Sequence, residues 1–136
     1  MIVPILTYRG PLKLCYTKTQ HERFTSLERR AKQIIGRSVP SIYNCIKKEA
    51  LMIVKRNLEA TTCRNLEGYF KIQQHDKLTR NKGYLVCLPK FKLELGKQSF
   101  KYSGAKLFND LPLEIRKEES ILKFEKNLKQ LFNLSV

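Results

Sequence analysis

Only two aspartates occur in the chain, Asp76 and Asp110. Neither has an acidic neighbour at a spacing that would hold a pair of divalent ions for phosphoryl transfer. Asp76 lies in a polar stretch beside His75, and Asp110 belongs to an Asn-Asp-Leu-Pro turn. Glu118 and Glu119 are adjacent acids just ahead of a helical pattern, where carboxylates favour the positive end of a helix dipole and read as a cap, not a metal site. His21 and His75 are isolated from each other and from any ligand-spaced partner. Cys15, Cys45, Cys63 and Cys87 are widely separated, with no Cys-x-x-Cys and no Cys/His pair, so zinc is not expected. The four read as reduced thiols, mostly in the core, of an intracellular protein. A phosphate-cradling glycine loop, a Gly-x-Ser-x-Gly elbow and a cysteine oriented by a histidine do not occur. The residues point to a chain that is not itself an enzyme and takes no cofactor or metal.

What the chain has in quantity is positive charge. Twenty-seven Lys and Arg stand against 12 Asp and Glu, a net charge of +15 on 136 residues. A field of that size implies a polyanionic partner, nucleic acid before membrane lipid. Hydrophobic residues make up 42% of the chain, with seven Phe and six Tyr, enough for the core of one domain and unlike a disordered tail. No apolar run approaches the length of a membrane span. Met1 to Leu6 does not read as a secretory signal, so the nucleus or cytoplasm is the expected location.

The elements that must position this charge begin with an extended apolar segment over residues 1–16, broken by Pro4 and Gly10-Pro11. It reads as the end of something, an opening strand whose sheet lay upstream. One helical domain is expected over 17–136. Phe24, Leu27, Ala31, Ile34 and Ile35 form an apolar stripe between Thr17 and Ile35, with Gly36 placed as the C-cap. Arg23 and Arg30 border the stripe, while Arg29 and Lys32 fall on the far face. After Pro40-Ser41, helical spacing resumes through Ile42, Cys45, Ile46, Ala50, Ile53, Val54 and Leu58, the most apolar helix and the expected centre of the core. A shorter helix is expected from Thr62 to about Gln74, with Gly68 weakening it, and residues 76–82 read as a loop.

From residue 90 the period changes. Phe91, Leu93 and Leu95 alternate with Lys90, Lys92 and Glu94, Gly96-Lys97 supplies a turn, and Phe100 and Tyr102 flank Lys101, which together predict an antiparallel hairpin near residues 90–103. Its alternation places Lys90, Lys92 and Lys101 on one face. Ser120 then precedes a last amphipathic helix from Ile121 to about Phe132, carried by Phe124, Leu128 and Leu131. The expected fold is mainly α (α+β), three to four amphipathic helices with one small β-hairpin.

Two basic clusters follow from this layout. Arg23, Arg29, Arg30 and Lys32 on the first helix and Lys90, Lys92 and Lys101 on the hairpin are the candidate nucleic-acid-binding residues, each neutralising a phosphate in a sequence-tolerant way. The structural alternatives are a solvated helix face and an edge whose lysines block strand pairing. Tyr102 or Tyr84 would offer a ring to an unpaired base, unless packed in the core.

The order of signals from Phe100 to Phe124 also resembles a known pattern. Phe100-Lys101-Tyr102, Gly104, Phe108-Asn109, Leu111-Pro112 and a final helix from Ser120 to Leu131 are similar to the C-terminal end of non-LTR retrotransposon reverse transcriptases of the jockey and chicken-repeat type. Leu27 to Gly36 resembles the basic helix that follows their catalytic core, and Thr79-Arg80 their Thr-Arg before the last strands. The family usually has Trp where Phe108 stands and often Pro where Ala105 stands. The resemblance implies a thumb-like region and C-terminal extension that grips RNA, DNA or an RNA–DNA duplex. It also implies that the polymerase palm is missing, since no Tyr-x-Asp-Asp or Phe-x-Asp-Asp occurs. The rival readings are a small basic module bound to an acidic host protein, and a decayed reading frame without function.

Overall fold

The computed structural model describes residues 14, 16–36, 41–59, 68–73 and 84–134. Within them the protein is mainly helical. Helix α1 (Lys18–Ile35) starts at Thr17, whose backbone N–H donates to Gln20 Oε1 at 2.9 Å, and stops at Gly36. Gly36 has φ 62°, and its N–H closes on the Lys32 carbonyl at 3.1 Å. That left-handed cap is where a glycine belongs. Helix α2 (Ile42–Leu58) follows N-cap Ser41. A helical turn α3 (Glu94–Lys97), helix α4 (Phe100–Asn109), a second turn α5 (Leu113–Arg116) and helix α6 (Ile121–Leu131) complete the described elements.

The core lies where α2, α4 and α6 meet. Leu51, Met52 and Val54 from α2, Ala105 and Phe108 from α4, and Phe124 and Leu128 from α6 are buried together with Phe70, Val86 and Leu111. Phe108 and Phe124 sit with ring centroids 6.3 Å apart. Each buried side chain of this size contributes roughly 1.5–3 kcal/mol by leaving water. α2 is the central helix that its pattern predicts, and it is buried on more than one face: Leu51 and Met52 are covered as well as Ile46 and Val54. So is Lys55, only 1% exposed, whose ammonium pairs with Glu59 at 2.9 Å and lies 5.6 Å from the rings of Tyr84 and Phe124.

The expected hairpin at 90–103 does not form. Residues 94–97 and 100–109 are helical, and among the described residues the β pairing is a single antiparallel bridge between Ile72 and Val86. The physical reason is that the alternation has nothing to bury its apolar face against: Leu93 and Leu95 are 73% and 75% exposed. Phe100 belongs instead to a helical i, i+4, i+8 series with Gly104 and Phe108. Gly104 sits inside α4, where a Cβ would meet Val54 Cγ2 at 3.2 Å and Phe70 Cζ at 3.3 Å. The glycine lets α4 lie close against α2.

The short helix expected over 62–74 is also not seen where it is described. Residues 68–73 are bends and an extended bridge partner; the rest of that span, the loop at 76–82 and most of the extended opening over 1–16 lie outside the described residues. The bridge depends on two asparagines. Gln73 N–H donates to the Leu85 carbonyl and Cys87 N–H to the Lys71 carbonyl, both at 2.7 Å, so Val86 points its own amide and carbonyl away from Ile72. Asn109, at the end of α4, meets both: its Oδ1 accepts from Val86 N–H at 2.8 Å, and its Nδ2 donates to the Val86 carbonyl at 2.9 Å. Asn57 of α2 accepts the Phe70 N–H at 2.9 Å.

Two predictions follow from this packing. Asn109→Ala strands both backbone groups of the fully buried Val86 and is expected to cost about 2 kcal/mol or more in urea unfolding; a loss under about 0.5 kcal/mol would mean that the side chain does not hold the bridge. The second concerns Glu125 on α6, which pairs with Lys129 at 3.0 Å and with Lys48 of α2 at 3.4 Å. The Lys129 hydrogen bond, opposed by burial and helped by the Lys48 charge, holds its carboxyl below the usual carboxylate range. A depressed folded pKa stabilises above the unfolded value and is lost as pH falls through the folded one. Glu125→Gln is therefore expected to lower stability by at most about 1 kcal/mol at neutral pH, since the group is solvent-screened. In unfolding curves at graded pH, the two proteins should converge as pH falls through and below the usual carboxylate range.

Candidate nucleic-acid interface

Burial sorts the lysines and arginines before any binding geometry does. Lys55 and Arg116 are buried in the domain. All seven residues expected to bind phosphate, Arg23, Arg29, Arg30, Lys32, Lys90, Lys92 and Lys101, are exposed. They do not form the two faces that the pattern predicts.

On α1, Arg29 and Lys32 face inward, lining a groove of about 540 Å³ with His21, Phe24, Thr25 and Glu28 of the same helix and Ser41 and Tyr43 at the start of α2. Lys32 Nζ is 3.1 Å from Glu28, so part of its charge is already answered. At 100° per residue, Arg23 and Arg30 stand about half a turn away, on the outside. The expected apolar stripe is displaced in the same sense. Phe24 and Ala31 are half-buried, while Leu27 and Ile34 are 62% and 85% exposed, and no residue of α1 is fully buried. Arg29 and Lys32, expected on the far face, are on the side turned to α2.

Lys90 and Lys92 lie in the irregular segment before α3, and Lys101 is on α4. Strand register therefore does not bring the three onto one face, which corrects that expectation. Lys101 Nζ is 5.2 Å from the centre of the Tyr69 ring. It borders a hollow of about 290 Å³ with Lys71, Tyr69, Cys87 and Pro89. Of the four cysteines expected mostly in the core, Cys87 is exposed here and Cys45 is half-buried; both are free thiols.

A second groove of about 290 Å³ runs between α2 and α4 and was not legible in the pattern. Tyr43 and Lys47 line it from α2, Tyr102 and Lys106 from α4, with Lys97 and Asp110 at their flanks. The signal was present as two Tyr-x-x-x-Lys spacings, 43/47 and 102/106, which put ring and ammonium on one helix face. Reading Tyr102 as a strand residue separated it from Lys106. Lys47 Nζ lies 4.4 Å from the Tyr43 ring centre, His21 meets the same ring edge-on at 5.3 Å, and Tyr102 packs against Phe91 at 6.4 Å. Tyr84, the other candidate stacking residue, is half-buried against Phe108 at 6.3 Å. Lys97 Nζ donates a hydrogen bond to Glu94 Oε1, and that bond, with the Glu94 charge, raises the Lys97 pKa.

Among the described residues no group of three His, Cys, Asp or Glu is placed to hold a metal ion, and no helix is long and apolar enough to cross a membrane. No family model matches the chain, and comparison with curated proteins and with solved structures found no match.

The hollow can be probed directly. Burial pushes the Cys45 thiol up, outweighing the Lys48 charge, whereas Cys87 is open beside Lys71 and Lys101. Iodoacetamide followed by peptide mass spectrometry is expected to label Cys87 well before Cys45. Equal rates would place Cys87 inside the fold.

Proposed function

We propose that this chain binds nucleic acid through its phosphate backbone, with little regard to sequence, as a C-terminal thumb-like region of a non-LTR retrotransposon reverse transcriptase. Polymerisation belongs in this reading to a palm that the chain does not carry, and its own role is grip. The observation that carries the reading is the surface. Among the described residues sixteen lysines and arginines are exposed, against five exposed acids, Glu22, Glu94, Asp110, Glu114 and Glu119. Such a surface repels itself in water, and a polyanion relieves it by releasing its condensed counterions. The positive residues occur on every long helix except the buried stretch of α2, which suits a partner that is long and charged throughout.

Fluorescence anisotropy with a labelled RNA–DNA hybrid of about 20 base pairs tests this. The observed log binding constant is expected to fall linearly with log salt and to vary little with base sequence. Changing Lys90, Lys92 and Lys101 together to Glu should flatten the slope by roughly two to three units. An unchanged slope would remove those three from the interface. If the hybrid fails to bind, or if an acidic peptide of equal charge displaces it at equal concentration, the partner is not a nucleic acid.

A further inference from the structure

The groove between α2 and α4 is built differently from the rest of the basic surface. The other basic hollows each join two cations to one tyrosine: Arg29 and Lys32 with Tyr43 under α1, and Lys71 and Lys101 with Tyr69. Here two tyrosine rings and three ammonium groups, Lys47, Lys97 and Lys106, share one concave lining. We propose that this groove holds an unpaired nucleic-acid strand, with bases stacked on Tyr43 and Tyr102 and flanking phosphates on the three lysines. The inference rests on the reading of the chain as a nucleic-acid binder and adds the form of nucleic acid and its seat.

Size disfavours a duplex, and the lining chemistry disfavours a peptide. A cleft of about 290 Å³ between two packed helices is at the lower limit of small-ligand pockets, roughly 300 Å³. It admits a base and not a double helix. Aromatic faces reward flat π-systems, which every base has and an acidic peptide lacks, while the ammonium groups answer the backbone that each base brings with it. Asp110, in the same lining, repels a phosphate and accepts an N–H from a base edge, so it favours bases over backbone at its end of the groove. Lys47 lies over the Tyr43 face. A base that takes that face leaves the flexible lysine free to turn to a phosphate. Tyr43 also borders the larger groove under α1. A strand leaving the first groove therefore passes directly to Arg29 and Lys32.

The test compares oligonucleotides of about 12 residues, oligo-dT and oligo-rU, with an abasic strand of equal charge and with the hybrid duplex. Both base-bearing strands are expected to bind the wild-type chain about tenfold or more tightly than the abasic one, and to quench tyrosine fluorescence, which no tryptophan obscures. Tyr43→Leu, at an exposed ring, and Tyr102→Leu should each weaken single-strand binding about tenfold and leave duplex binding within about twofold. The comparison with the abasic strand uses the unaltered protein and stands even if Tyr102→Leu impairs folding. Equal affinity for abasic and base-bearing strands, or equal losses on strand and duplex in both variants, would overturn the groove while leaving backbone binding intact. Binding of none of the probes would overturn backbone binding and the groove together. A preference for RNA or DNA would identify which source of the shared chemistry the groove takes.

Discussion

The fold depends on how one backbone strand without a sheet is satisfied. Val86 is fully buried, yet its amide and carbonyl point away from the single residue it pairs with, Ile72. In a sheet a further strand would answer them; here the Asn109 carboxamide does, with one acceptor and one donor at the spacing of a peptide group. Asn57 does half of the same for Phe70 on the opposite segment. Because Asn109 ends α4 and Asn57 lies near the end of α2, the bridge is tied to both helices. Phe108, next to Asn109, is thereby set into the core against Phe124 of α6. Leaving such groups unmet would cost about 1–3 kcal/mol each, comparable to burying a whole apolar side chain.

This arrangement governs where charge ends up. α2, held against α4 and α6, is covered so fully that Lys55 goes inside with Glu59 and two aromatic rings for company. A buried pair of this kind gains little net stability over an apolar one, because desolvation offsets the attraction. α1 stands at the other extreme, with no fully buried residue and Leu27 and Ile34 open to solvent. The positive surface is therefore carried on one tightly packed unit and one more loosely attached helix, with Tyr43 at the seam.

Helices with long, consistent periods were legible. The limits of α1, its Gly36 cap, the central role of α2 and the stripe of α6 all follow from local spacing and end signals, because caps and 3.6-residue repeats act within a few residues of chain. The segment 90–103 departs from its local pattern for the opposite reason. Three alternating pairs around a glycine suit a strand, but Phe100, Gly104 and Phe108 suit a helix equally well. What decides between them is the presence of Val54 and Phe70 beside Gly104, which no local pattern contains. The same ambiguity hid the groove, since Tyr102 and Lys106 share a face only if the segment is helical.

The sequence by itself determined the class of the molecule: a mainly helical, strongly basic chain with enough apolar and aromatic residues for a core and no carboxylate pair at site spacing. Charge and composition are sums over the chain and need no folding to be read. Tertiary structure alone decided which cations face solvent, that Arg29 and Lys32 turn toward α2 while Arg23 and Arg30 turn away, and that Tyr43 and Tyr102 share a groove. Those are statements about pairs of elements, which no spacing within one element contains. The α2–α4 pair is set by close packing at Gly104, a contact that exists only once the helices have met.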